Sequence, residues 1–419
     1  MKKKVLCTVL SAAMILALAG CGSTDTASTA STAAAEASTE ASAEATTEAA
    51  QEQTTEASEA ASSEAAATGD ASDMKIAMIT DYGDITDESF NQITYETSKA
   101  WAEENGCDFT YYKPEGDSTA DRVAMIDKAV ADGYNVLVMP GYAFAGAIVE
   151  TADMYPDVKY VAIDVSQFDF DSESGEDGWT RDNVFSAIYQ EELPGYMAGY
   201  AAVKLGYKKL GFLGGMAVPA VIRYGYGYVQ GADEAAGELG LTDVEVKYAY
   251  ANQFYGDSDI TAAMDTWYQN GTEVVFACGG GVYTSAGEAA QKVDGKVIGV
   301  DVDQKATIDG LYGDGMTVTS AMKGLGATVN TLLAAIRDGQ WDQYKGKIDN
   351  LGLVSGDDMS LNYVGLPEES TQWSDSFTVD DYKALVAKMY SGEITVDNDT
   401  TKEQPTATNI TVDFQGNIK

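Results

Sequence analysis

The chain has 419 residues, with 26 Lys and Arg against 66 Asp and Glu, a formal net charge of −40. That balance excludes nucleic acid as a partner, whose phosphates need Lys and Arg, and disfavours an anionic membrane surface for the folded part; the acidity itself reads as solubility. No histidine is present, which removes Ser-His-Asp and Cys-His catalysis and the commonest zinc ligand together.

Lys2, Lys3 and Lys4 precede an apolar run from Val5 to Ala19. At about 15 residues the run has the length of a signal-peptide core and falls short of the ~20 that a spanning helix needs. It stops at Leu18-Ala19-Gly20-Cys21, which resembles a bacterial lipobox. The resemblance implies removal of residues 1–20, acylation of the Cys21 thiol and anchorage at the extracytoplasmic face of the cell membrane. Each buried methylene contributes about 0.8 kcal/mol, so two or more acyl chains hold where one does not. From Gly22 to Asp73 the chain is almost wholly Ala, Ser, Thr and Glu. Glu36, Glu40, Glu44, Glu48, Glu52 and Glu56 would stack like charges on one helical face. With no large apolar side chain to bury, residues 21–73 are expected to be a lipidated, solvated stalk that lifts the folded part off the membrane.

From Met74 the texture changes. Strands are expected at 75–80 (KIAMIT), 136–140 (VLVMP), 159–164 (KYVAID), 209–215 (KLGFLGG), 244–250 (VEVKYAY), 273–280 (EVVFACGG) and 297–303 (VIGVDVD). Helices are expected at 90–105, 119–132, 145–154, 191–205, 223–239, 259–269, 285–292 and 325–337. Apolar strands without alternation, spaced by crossover helices, indicate parallel sheets covered on both faces, and ligands collect at their carboxyl ends. The expected fold is α/β: two doubly wound parallel-sheet lobes joined by a hinge. Residues 74–189 and about 320–345 would form the first lobe, 190–319 and about 346–396 the second, and 397–419 a tail. Repeated crossings make a clamshell that closes on its ligand. Cys107 and Cys278 have no metal-ligand spacing and are expected as two buried thiols, a disulfide being the alternative.

Several blocks in fixed order resemble the basic membrane protein family of lipoproteins, which includes purine nucleoside receptors of ABC importers. They are DESFNQ (87–92), PGYAF (140–144), YPDVKYVAID (155–164), LPGYMAGYAA (193–202), GFLGGMAVPAV (211–221), YGYVQGA (226–232), IGVDVDQ (298–304), TSAMKG (319–324) and LGL (351–353). The resemblance implies the type I periplasmic-binding-protein fold and a nucleoside ligand. It also implies an ABC permease as partner, with no cofactor, no metal and no catalysis; a monomer is expected. Asp84, Thr97 and Cys278 depart from the family pattern.

The family stacks the residue at Phe90 on the base, and Phe254 would supply the opposing face; stacking is worth roughly 1–3 kcal/mol per base. Asp164, ending a strand, is implied on the purine edge, where a carboxylate accepts from N–H groups. Asn91 can address base or sugar. Asp301 can accept from two ribose hydroxyls, with Lys323 donating to a ribose oxygen and balancing it. Gly279 and Gly280 would let backbone N–H groups approach the sugar. Asp87 would cap or orient the Phe90–Asn91 turn, and Tyr142 and Met216 complete the candidate set. The competing readings are core packing for each Phe, a helix cap for Asp164 and a hinge salt bridge for Asp301 and Lys323. At the level of function the alternatives are a ribose-class sugar receptor, a nucleoside-processing enzyme, whose expected DTD-type aspartate cluster is absent, and a surface adhesin.

Overall fold

Valine, isoleucine and alanine runs set the centre of two parallel sheets in the computed structural model, which describes residues 71–81 and 83–418. The leader, Cys21 and nearly all of the expected stalk lie outside the described residues. The first sheet takes β1 (Lys75–Ile79), β2 (Asp108–Tyr112), β3 (Val136–Pro140), β4 (Lys159–Ile163) and β5 (Val184–Tyr189). Its connections carry α1 (Phe90–Asn105), α2 (Thr119–Ala131), α3 (Ala145–Thr151) and α4 (Gln167–Ser174). After α5 (Glu192–Lys204) the second sheet forms from β6 (Lys209–Gly214), β7 (Glu245–Tyr250), β8 (Val274–Cys278), β9 (Lys296–Asp301) and β10 (Thr317–Lys323). Between them run α6 (Pro219–Leu239), α7 (Ser258–Gln269), α8 (Tyr283–Ala290) and α9 (Lys305–Tyr312). The chain then crosses back through α10 (Leu325–Arg337) to β11 (Ile348–Leu351). It returns for β12 (Val364–Gly365), α11 (Val379–Tyr390) and β13 (Thr411–Asn417).

Strand order is β11-β5-β4-β3-β1-β2 in one sheet and β12-β10-β9-β8-β6-β7-β13 in the other. Every pairing is parallel except β10 with β12. β3 and β8 are buried along their whole length, as strands covered on both faces must be. Alternate residues feed opposite cores: Ile76, Val136 and Val138 pack with Trp101 and Leu332, while Ala77, Leu137 and Met139 pack with Ile126 and Ile148.

Three expectations about domain bounds are corrected. β10 stays in the second sheet to its last residue, so first-lobe structure resumes only with α10, which packs on α1. β11, expected in the second lobe, pairs with β5 of the first; its polar sequence, Ile-Asp-Asn-Leu, carries no apolar run because it is an edge strand. The expected tail supplies β13, a seven-residue edge strand parallel to β7. Cys278 is buried at the end of β8, whereas Cys107 is only half-buried after α1; both are free thiols.

Candidate functional site

The carboxyl ends of β4 and β9 face each other across the cleft, and each carries an aspartate in left-handed backbone. Asp164 has φ 62° and Asp301 φ 66°. Non-glycine residues rarely take this conformation, and held in place it marks sites where a side chain must be re-aimed. Between the two carboxylates stands Lys323, at the end of β10. Its ammonium is 2.6 Å from Asp164 Oδ2, 3.5 Å from Glu191 Oε1 and 3.7 Å from Asp301 Oδ1. Glu191 in turn accepts from Arg223 Nε at 2.7 Å. Burial alone pulls Lys323 down, but Asp164, Asp301 and Glu191 together hold it above its ordinary value. Burial pushes Asp164 up to about 6, against the pull of Lys323, and raises Asp301 as well. The result is one polar wall, charged on both sides of the hinge.

Two phenylalanines bound the cavity from opposite lobes, and each is backed on one side. The Lys323 ammonium lies 4.7 Å from the Phe90 ring centroid, within cation–π range. Phe254 lies on glycine backbone: a methyl on Gly215 would drive into its ring, and one on Gly279 would stand 3.0 Å from it. Gly279 also has φ 152° and Gly280 φ 50°, so both chain direction and ring placement require glycine there. The missing side chain at Gly279 thus serves Phe254, a role the sequence reading did not give it.

The loop before α1 is ordered by carboxylates. Asp87 accepts from the backbone N–H groups of Ser89, Gln92 and Asn91, each at 3.0 Å, and so caps the helix that presents Phe90. Burial pushes Asp87 up to about 6 despite those bonds. Its Oδ2 also accepts from Asn91 Nδ2 at 3.2 Å. That leaves Asn91 Oδ1 a buried acceptor without a partner, as Asp164 Oδ1 is. Buried polar atoms of this kind normally have partners, and the two residues that carry them both line the cavity.

Phe90, Asn91, Asp164, Phe254, Gly279, Gly280, Asp301, Lys323, Asp87 and Tyr142 all line a single cavity of about 520 Å³. Met216 does not; the stretch Val218–Val221 that follows it lines the wall instead.

The family described as "ABC transporter substrate-binding protein PnrA-like", Bmp, matches residues 74–400. The chain belongs to the Bmp family. It is 29% identical over 287 residues to the "ABC transporter nucleoside-binding protein BmpA" of Lactococcus lactis subsp. cremoris, covering 64% of this chain and 77% of that one. It is 27% identical over 306 residues to "Basic membrane protein B" of Borreliella burgdorferi, covering 70% and 81%. Among solved structures, an ABC transporter solute-binding protein of Aeropyrum pernix K1 aligns with TM-score 0.59 at 23% identity, over 78% of this chain and 88% of that one. A second, from Conexibacter woesei, aligns with TM-score 0.58 at 22% identity, over 78% and 99%. These give the two-lobed type I solute-binding fold, and the Bmp family is one of transporter substrate-binding proteins.

In this Bmp chain the cleft uses residues that sequence reasoning missed. Glu191 is fully buried and Arg223 nearly so; the Tyr224 hydroxyl is buried beside them without a partner. α6 begins at Pro219, not Arg223, so Arg223 and Tyr224 sit in its second turn, close to the hinge. Pro219 at the helix start is the signal that could have extended it. Ser89, also missed, is buried and donates to Asp301 Oδ2 at 2.7 Å.

Proposed function

We propose that this protein binds a nucleoside, a purine nucleoside by preference, between its lobes. It delivers it to the permease of an ABC importer while an acylated Cys21 holds it at the extracytoplasmic face. The observation that carries the reading is the pair of backed phenylalanines from opposite lobes beside the Asp164–Lys323–Asp301 wall. Two aromatic faces suit a flat base, and a carboxylate wall suits vicinal hydroxyls. The name of the Lactococcus relative supports the ligand class, and the family's place in ABC transport supports the permease. Asn91 Oδ1 and Asp164 Oδ1 supply acceptors for N–H and O–H donors. Since Asp164 shares one ammonium with Asp301, it serves the sugar as readily as the base edge. The lining also carries Asp81, Asp84, Asp87, Asp164, Asp169 and Asp301 against Lys113, Arg223 and Lys323. An excess of carboxylates repels phosphate, which favours nucleosides over nucleotides.

The test is calorimetric titration of adenosine, guanosine and inosine, their free bases and ribose. A site built to hydrogen-bond hydroxyls rejects ligands without them, because its buried polar groups are left unpaired. The ribonucleoside is expected to bind far better than its base, and Asp301→Ala to remove most of that gap. Equal affinity for base and nucleoside sinks the sugar-wall assignment. Tight binding of ribose alone selects a sugar receptor instead.

A further inference from the structure

The loop that presents Phe90 also reaches into the opposite lobe. Ser89 Oγ donates to Asp301 Oδ2 at 2.7 Å, both side chains being buried. One residue earlier, the Glu88 carbonyl accepts from Gln304 Nε2 at 2.9 Å, and Glu88 Oε2 accepts from Thr307 Oγ1 at 3.0 Å. All three bonds join the first-lobe loop to the second lobe, one at the last residue of β9 and two just beyond it. Glu88 itself has φ 53°, and its own N–H donates to Gln92 Oε1, which fixes that uncommon conformation within the first lobe. Gln304 is held equally firmly in the second. Its Oε1 accepts from Val300 N–H at 2.9 Å, and its backbone N–H donates to Ser320 Oγ at 3.1 Å. Both halves of the contact are therefore preformed, and bringing the lobes together engages them as a unit.

We propose that Ser89 is a positioning residue for Asp301, and that Glu88 and Ser89 form with Gln304 and Thr307 a latch that holds the lobes closed on the ligand. Asp301 is the centre of the device. One oxygen takes Ser89 from the far lobe, and the other faces Lys323 at 3.7 Å, on the polar wall. Closure thus completes the second-lobe carboxylate's bonding and fixes the direction of its remaining lone pairs. The chain's affinity and its closure are linked through one side chain, so a ligand shifts the lobe equilibrium by the free energy it gains in the closed state alone. The role given to Asp301 rests on the ligand-site reading above; the latch as a contact between lobes does not.

The experiment uses the full chain with donor and acceptor dyes at Glu103 in the first lobe and Asp294 in the second, whose side chains are 68% and 98% exposed. Energy transfer reports the closed fraction, and stopped-flow displacement reports inosine dissociation. Ser89→Ala removes a hydrogen bond to a charged group, so the inosine dissociation rate is expected to rise roughly ten- to hundredfold with the association rate unchanged, and the closed fraction to fall. Thr307→Ala, half-buried and outside the core, is expected to move both readouts the same way by less, and serves if Ser89→Ala folds poorly. Ser89→Thr keeps the hydroxyl and is expected to restore the closed fraction. Unchanged closed fraction and dissociation rate in both alanine variants overturn the latch. If wild type fails to bind inosine, the nucleoside reading fails, while the ligand-free closed fractions of wild type and variants still decide the latch.

Discussion

Lys323 is the centre of a buried ion network in this cleft. Its ammonium is the counter-charge for Asp164 and Asp301 and shares Glu191 with Arg223, and its side chain is 3% exposed. Removing one partner of a buried ion network leaves the opposite charges uncompensated, at a cost of roughly 3–5 kcal/mol. Lys323→Met is therefore expected to lower unfolding free energy by about that amount in denaturant titration, together with loss of ligand binding. A variant that lost affinity at unchanged stability would make Lys323 a ligand contact only. The sequence made Asp164 and Asp301 visible because each ends an apolar strand. It left open whether Lys323 paired with a ligand or across the hinge; the structure has it in a hinge network that lines the cavity. Glu191 and Arg223 were not legible, because nothing in "QEELP" or "VIRYG" distinguishes a buried charge from a solvated one. Burial of a charge is decided by partners far away in sequence.

Among the elements, α5 and α6 set the position of that network, since α5 starts beside Glu191 and α6 carries Arg223 in its second turn. Their backbones touch through glycines. A methyl on Gly199 would collide with the Tyr228 carbonyl, and one on Gly231 with that of Tyr196. Both blockers are backbone, so no rotamer change relieves the clash and the helices must part. Gly199→Ala is expected to destabilise the protein by roughly 1–3 kcal/mol, as overpacking does. It should also weaken ligand binding by displacing Arg223 and Tyr224. Loss of stability in calorimetry without any change in affinity would show that the helix pair does not position the site. The glycines of "LPGYMAGYAA" were legible as part of a family pattern, but their contact with α6 was not. The same limit runs through the fold. Buried strands such as β3 and β8 are legible as continuous apolar runs, and α1 and α10 to their end residues; β5, equally interior, was missed because Ser186 interrupts its run. β2, β11 and β13 escaped because edge strands bury one side weakly and so carry polar residues.

At the scale of the whole molecule, stability and binding are expected to respond to pH in opposite directions. Burial pushes Asp87 and Asp164 up to about 6, and Glu192, at the start of α5, up to about 7. Each group has a folded value above its unfolded one, so between about pH 4 and 7 the folded chain holds more protons than the unfolded chain. These groups therefore add stability that is complete below about pH 4 and lost as pH rises through 6 to 7. Carboxylates held low by surface bonds, such as Asp132 beside Lys128 and Asp153 beside Arg181, act the other way, but only as pH falls below the ordinary aspartate range. Self-repulsion at a net charge of −40 has the same sign as the buried acids, and added salt screens it. In 0.5 M salt, about enough to shorten the screening length well below 10 Å, the ligand-free protein is expected to melt at higher temperature at pH 5 than at pH 7.5. Glu192→Gln should reduce that difference without touching the cleft. On the proposed function ligand affinity runs the other way: a carboxylate at Asp164 that accepts from the ligand does so best when ionised, so binding is expected to weaken from pH 7.5 to pH 5. Scanning calorimetry and titration on the same samples separate the two effects. A melting temperature that rises with pH across this window would mean that the buried carboxylates are ionised at little cost, and with that the charge balance assigned to the cleft wall would fall.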